Sequence, residues 1–380
     1  MLIALSRRSG NAGTSTLRYA QNSRNLLQQK ELELHRVRAF PCASGTDIIA
    51  WMNEPKPIQS ISFSGHESFP LRFAWLTKAV RGVKNDPTLF AGDDAVVRLG
   101  VGKNMVRAIR HWATRADMIR PDADDKRGGR YTSTRLGDLL FGGRGQDPYL
   151  EDPATVWIVH WQLSSRRRQD PGDGGSCGTE VLCPTTWVYM FNEFRESWFT
   201  QETAVRELLG YAKKHGGKPP SPGTVERDLS CFIRSYTPAE PDKRLSREDT
   251  YDSPLTDLGL LTREPVTGRV LFDRGPRPTL PAEVFTYAVL DSWRREAPAS
   301  ETMSFQRIAY GPGGPGQVFK LSENACVEYL ETLGDVTGGN VSYDATAGLR
   351  QAIRHGDIGD SLRLLRRKPR ARKKGVTSAA

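Results

Sequence analysis

No run of about 18 apolar residues occurs in the sequence, so no helix able to cross a bilayer is expected and no membrane partner is implied. Cysteine is scarce and scattered at Cys42, Cys177, Cys183, Cys231 and Cys326. The set is odd, and Cys177 and Cys183 lack a second Cys or His pair at metal spacing. This argues against zinc and for a reducing, cytoplasmic setting. Phosphate-cradling loops are missing too. The glycine run Gly311–Gly316 has no Gly-Lys-Ser/Thr ending and no apolar strand before it. Near Gly100 and Gly102, Val97 stands where the first glycine is required and Asn104 replaces the hydroxyl that would meet magnesium. No spacing supports Ser-His-Asp or Cys-His catalysis, and no recognised nuclease motif is present.

Charge is abundant but unevenly placed. Residues 1–51 hold seven Lys or Arg against three acids, and residues 363–380 hold eight against none. Of the net charge of +10, the remaining body therefore carries −2. Any affinity for a polyanion must come from local patches and from the tail, not from the body as a whole.

The stretch from Asp93 to Thr134 concentrates such a patch. Asp93 and Asp94 suit the start of a short helix, and Gly100 and Gly102 end it. From Lys103, the residues Met105, Val106, Ile109, Trp112 and Ala113 recur at helical spacing, leaving Lys103, Arg107 and Arg110 on a separate edge. Met118–Arg120 and Arg130–Thr134 suit paired strands, joined by Asp124–Gly129 with Lys126 and Arg127 at the tip. This is the plan of a winged helix: the second helix enters a major groove and the wing lies along phosphates. The residues expected to touch DNA are Lys103, Asn104, Arg107, Arg110, His111, Lys126, Arg127 and Arg130. A helical module whose cations merely face water has the same pattern.

The whole chain reads as mainly α: tandem winged-helix or helix-turn-helix modules with small β-hairpins and flexible N- and C-terminal extensions. Residues 1–58 are expected to be a disordered or mis-assigned extension, with Met52 as an ordinary start. A winged-helix module then spans 59–163, a flexible Gly-rich loop 164–184, and a second helical or winged-helix module 185–295. A helical module over 296–362 and a basic disordered tail over 363–380 complete the chain.

Two constellations carry possible chemistry. Ser64-Gly65-His66-Glu67 matches a capping box for a helix with Phe69, Phe73, Leu76 and Val80 as its stripe. As catalysts, His66 and Glu67 would serve as base and as metal or water orienter; as structure, they cap that helix. Asp147, Glu151 and Asp152 place three carboxylates within six residues, a set able to hold a divalent ion such as magnesium for phosphodiester hydrolysis. Equally, they fit the acidic first turn of the helix beginning near Pro153. That helix is apolar nearly all round, and His160 within it reads as a hydrogen-bonded core residue.

Several stretches together resemble one bacterial family. They are Phe63-Ser-Gly-His-Glu-Ser-Phe-Pro-Leu-Arg72, Trp75-Leu-Thr-Lys78, Leu99-Gly-Val-Gly-Lys-Asn-Met-Val106, Ile109-Arg-His-Trp112, Asp147-Pro-Tyr-Leu-Glu-Asp-Pro-Ala154, Trp157–Leu163, Thr185-Thr-Trp187 and Thr224–Tyr236. Over most of residues 60–362 the chain is similar to the SspB-type family of bacterial DNA phosphorothioation (Ssp) defence systems. The resemblance implies a strand-nicking endonuclease that opens double-stranded DNA for sulfur insertion. It also implies work beside a cysteine desulfurase, an ATP pyrophosphatase-like protein and an ATPase. From residue chemistry alone, a non-catalytic helix-turn-helix DNA-binding protein or transcription regulator is the alternative.

Overall fold

Small polar residues standing just before apolar stripes decide where many of the helices begin. The computed structural model describes residues 58–366 except 126–127, 166, 169–179, 183, 216–219 and 239–252. Within it the side chains of Thr134, Asp152, Ser221, Ser304 and Ser322 each accept a hydrogen bond from a first-turn amide two or three residues on. Of the expected N-terminal extension 1–58, all but Ile58 lies outside the described residues, as do the wing tip Lys126 and Arg127 and most of the tail.

Strand β1 (Ile58–Ile61) is followed by three helices, α1 (Trp75–Asn85), α2 (Ala95–Leu99) and α3 (Lys103–Arg115). An antiparallel pair follows, β2 (Ile119–Pro121) and β3 (Tyr131–Ser133), with Arg120 opposite Thr132. Helices α4 (Arg135–Phe141) and α5 (Pro153–Ser164) lead to β4 (Arg167–Arg168) and β5 (Glu180–Leu182). These two join β1 in a small sheet ordered β1-β5-β4. The described parts of 164–184, expected as a loop, are thus partly strand, because β1 supplies backbone partners that local sequence does not reveal.

A second run of elements comprises α6 (Thr185–Asn192), β6 (Trp198–Phe199), α7 (Gln201–His215), α8 (Pro222–Tyr236), β7 (Leu261–Arg263) and β8 (Val270–Phe272). A third comprises α9 (Ala282–Glu296), β9 (Thr302–Ser304), α10 (Phe305–Tyr310), α11 (Pro315–Val318), α12 (Glu323–Glu331), α13 (Leu333–Thr337), β10 (Val341–Asp344) and β11 (Gln351–Arg354). Both runs go helix, strand, helices, hairpin. In both, the first strand pairs with the last in an all-antiparallel sheet, ordered β6-β8-β7 and β9-β11-β10. Element order therefore places α9 at the head of the third run.

Two further expectations change. The capping-box helix from Phe69 does not form: Glu67 and Ser68 have left-handed φ of +49° and +63°, and the helix begins only at Trp75. The expected disordered tail begins late. Ser361–Leu365 is a 3-10 turn with Leu365 buried, opened by Asp360 and tied by Gln146 Nε2 to the Leu365 carbonyl at 3.0 Å.

Helix α5 is buried on every side, and each of its polar side chains must find a partner away from water. Trp157 Nε1 donates to Thr279 Oγ1 at 3.1 Å, Trp161 Nε1 to Asp291 Oδ2 at 2.7 Å, and Gln162 Nε2 to the Tyr287 hydroxyl at 2.9 Å. His160 is the hydrogen-bonded core residue expected of it. Its Nδ1 meets the Tyr236 hydroxyl at 2.7 Å and its Nε2 the Val318 carbonyl at 3.0 Å. A carbonyl only accepts, so the proton sits on Nε2 and Tyr236 donates to Nδ1.

Burial, above all, pushes the His160 pKa down to about 3, with the Lys320 and Arg277 charges acting the same way and the Val318 bond opposing them. A base whose folded pKa lies below its unfolded value contributes fully above about pH 6.5 and loses that contribution as pH falls. The stability gap between the wild-type chain and His160→Asn should therefore narrow by about 2.7 kcal/mol between pH 7 and pH 4.5. Urea unfolding of both proteins across that range reads it; a gap independent of pH would contradict a neutral His160.

Candidate functional site

The loop before α1 turns back on itself at Gly65, Glu67 and Ser68. Gly65 has φ +108°, and a Cβ there would lie 2.5 Å from His111 Nδ1, so both backbone and space require glycine. Two successive left-handed residues with side chains store strain of about 1–2 kcal/mol each, which partners must offset. Those partners come from three helices. Trp112 Nε1 on α3 donates to the Phe69 carbonyl at 2.9 Å, and Arg234 Nη2 on α8 donates to the Ser68 carbonyl at 2.5 Å. His66 Nε2 meets Asp228 Oδ1 on α8 at 2.6 Å, and Thr186 Oγ1 on α6 donates to the other Asp228 oxygen.

His66 is buried at 3 % exposure, packed 6.0 Å from the Trp112 ring and 6.2 Å from Trp187. The Ser68 amide donates to its Nδ1 at 3.0 Å, so this geometry holds the neutral tautomer with the proton on Nε2. Burial, the largest influence, favours that neutral ring, while the bond to Asp228 and the neighbouring Cys231 act the other way, toward protonation. A second proton on Nδ1 would face the Ser68 amide N–H to N–H. The observed turn is therefore that of the unprotonated ring.

Cys231, His66 and Asp228 form a grouping that sequence spacing did not disclose. All three are buried, Cys231 at 0 % exposure, so no substrate reaches the thiol. One signal was present: Asp228 falls among Val225, Leu229, Phe232 and Ile233, on the buried register of its helix. A carboxylate at such a position demands a partner.

Helix α3 carries the cationic edge. Lys103, Asn104, Arg107 and Arg110 are exposed, as the spacing predicts. His111 is not: burial first, then the Arg115 and Arg110 charges, hold it neutral with its pKa well below the usual value. Its ring packs edge-on against Trp112 with centroids 5.1 Å apart, so the structure gives it a packing role. Arg107 Nη1 lies 3.7 Å from Glu67 Oε1, with both side chains partly exposed. Folding thus places the loop carboxylate beside the cationic edge, two features the sequence treats separately. Arg130 is exposed and pairs with Asp122 at 3.4 Å.

The other acidic set has a structural arrangement. Asp147 is buried at 4 % exposure and accepts from the amides of Glu151 at 2.9 Å and Asp152 at 3.1 Å. Asp152 in turn caps α5 through the Ala154 amide at 2.9 Å. Among the described residues no group of three His, Cys, Asp or Glu side chains is placed to hold a metal ion. Cavities of about 520 and 370 Å³ run along α1, sharing Arg81 and Asn85. Their cations are largely engaged: Lys78 with the Leu99 carbonyl, Arg81 with that of Phe141, Lys84 with Asp138 and Arg98 with Asp86.

The family described as "Protein of unknown function (DUF4007)" matches residues 63–367. The chain belongs to this family. It is also similar to SspB in two crystal structures, one of them magnesium ion-bound, at 29 % identity to each. The similarity covers 81 % and 82 % of this chain and 88 % of each SspB chain, with TM-scores of 0.71 and 0.70. The SspB-type resemblance read in the sequence is thus shown across the folded body. No curated protein matches.

Replacing Asp147 by Ala leaves two amides at the α5 entry without their acceptor and should lower the unfolding free energy by about 2 kcal/mol. Glu151→Ala, at an exposed position, should change it by less than about 0.5 kcal/mol. Equal losses in urea unfolding would contradict the capping role of Asp147.

Proposed function

We propose that this SspB-type chain is the DNA-binding component of a bacterial phosphorothioation system and nicks one strand of duplex DNA for sulfur insertion. In this reading α1 to α3 with β2 and β3 act as a winged helix, and phosphates lie along Lys103, Asn104, Arg107 and Arg110. The observation that carries it is the exposed cationic edge of α3 with Glu67 at its border, 3.7 Å from Arg107. Gly102 precedes α3 and offers no side-chain cap, which leaves the amides of the first turn available to a phosphate oxygen. In a near-neutral body, such a local patch is what a polyanion meets.

The chemistry follows from one exchange of partners. A phosphate oxygen takes the Arg107 guanidinium, and the freed Glu67 carboxylate orients a water and accepts its proton. The water oxygen bonds to phosphorus, the bond from phosphorus to one strand oxygen breaks, and that oxygen takes a proton from solvent. His66, Asp147 and Asp152 are assigned to structure instead. Magnesium is bound in one SspB crystal, and among the described residues of this chain no group of three His, Cys, Asp or Glu side chains is placed to hold a metal ion. The cysteine desulfurase, ATP pyrophosphatase-like protein and ATPase of such a system are the proposed partner proteins, with the cytoplasm as the setting.

A second reading, a non-catalytic DNA-binding regulator, is favoured by the burial of His66 and Asp147 within structural hydrogen bonds. The two readings separate in one set of measurements. Exchanging Lys103, Arg107 and Arg110 for Ala should weaken duplex binding and reduce the slope of log affinity against log salt by about 2.7. An unchanged slope would remove α3 from the interface. On closed circular plasmid, Glu67→Gln should slow nicking by about a hundredfold with binding retained. A wild-type chain that binds duplex and leaves no nicks favours the regulator.

A further inference from the structure

Helix α8 stands in the second run of elements where α3 stands in the first, last helix before the hairpin. Two of its side chains, six residues apart, reach the 65–68 loop rather than solvent. Asp228 holds His66 Nε2 at 2.6 Å while Thr186 holds the other carboxylate oxygen. Arg234, although exposed, donates to the Ser68 carbonyl at 2.5 Å. Between the two anchored residues lies Glu67, at φ +49°, with its carboxylate toward Arg107.

Within the loop itself, the described restraints are the Ser68 amide on His66 Nδ1 and the Phe69 amide on the His66 carbonyl at 2.9 Å. Both depend on where His66 is held, and Asp228 holds it. Left to its local preferences, a Glu-Ser pair abandons the left-handed region. We propose that Asp228 and Arg234 are positioning residues through which α8 fixes the 65–68 loop and sets Glu67 beside the cationic edge of α3. The importance of this for DNA rests on the reading of Glu67 and α3 given above.

The test uses the full chain and has an arm that needs no DNA. In Asp228→Asn and Arg234→Ala, amide hydrogen exchange at His66 to Phe69 should quicken about tenfold, with protection elsewhere unchanged. Duplex affinity or nicking should fall about fivefold with it, and Arg234→Lys should restore both. Arg234 is exposed, so its variant keeps the test open if Asp228→Asn fails to fold. Exchange within about twofold of wild type overturns the proposal, as does quickening spread over the whole fold. So does a loosened loop with DNA affinity and nicking both intact. If the wild-type chain binds no duplex, the DNA reading falls, and the exchange arm still decides whether α8 holds the loop.

Discussion

The fold depends on one buried helix whose Trp, His and Gln side chains find hydrogen-bond partners far away in sequence. Helix α5 has no solvent face, so Trp157, His160, Trp161 and Gln162 can be buried only if Thr279, Tyr236, Val318, Asp291 and Tyr287 stand in fixed places. Those partners belong to the second and third runs of elements. Their directional bonds therefore set how the later runs sit around the first, with a specificity that apolar contact alone does not supply. The neutral His160 ring completes the arrangement, donating on one side and accepting on the other.

The same logic recurs on a smaller scale at the 65–68 loop. A strained turn persists because neighbouring helices supply the hydrogen bonds that a relaxed backbone would find in water. What results is a carboxylate, Glu67, fixed at the edge of a charged surface whose cations are otherwise little engaged. Contrast the grooves along α1, where carbonyls and acids already occupy the basic groups. Counting cations would rank the grooves along α1 above the α3 edge, and it is the pairing that separates the two faces.

The repetition of helix, strand, helices and hairpin in the second and third runs shows how similar frames serve different ends. Helix α3 leaves Lys103, Arg107 and Arg110 outward. Helix α8, at the equivalent point, turns Asp228 inward and ties Arg234 to a loop carbonyl. Frame and function thus separate: side-chain chemistry at a few helix positions decides what each unit does.

Much of this was legible in the sequence. Periodicity, caps and turn residues place α3, the start of α5 and the hairpin β2–β3 to within a residue or two, because these signals are local. The outward edge of α3 and the core role of His160 follow from spacing in the same way. The tertiary structure decided the rest. The loop at Gly65–Ser68, read as a helix cap, takes its form from Asp228 and Arg234, more than 160 positions away. His111 shares the cationic helix yet is buried, since its ring fills the space against Gly65. Local sequence fixes which conformations are cheap; only the packed chain determines which costly ones are held, and at this site a costly one brings the carboxylate to the cations.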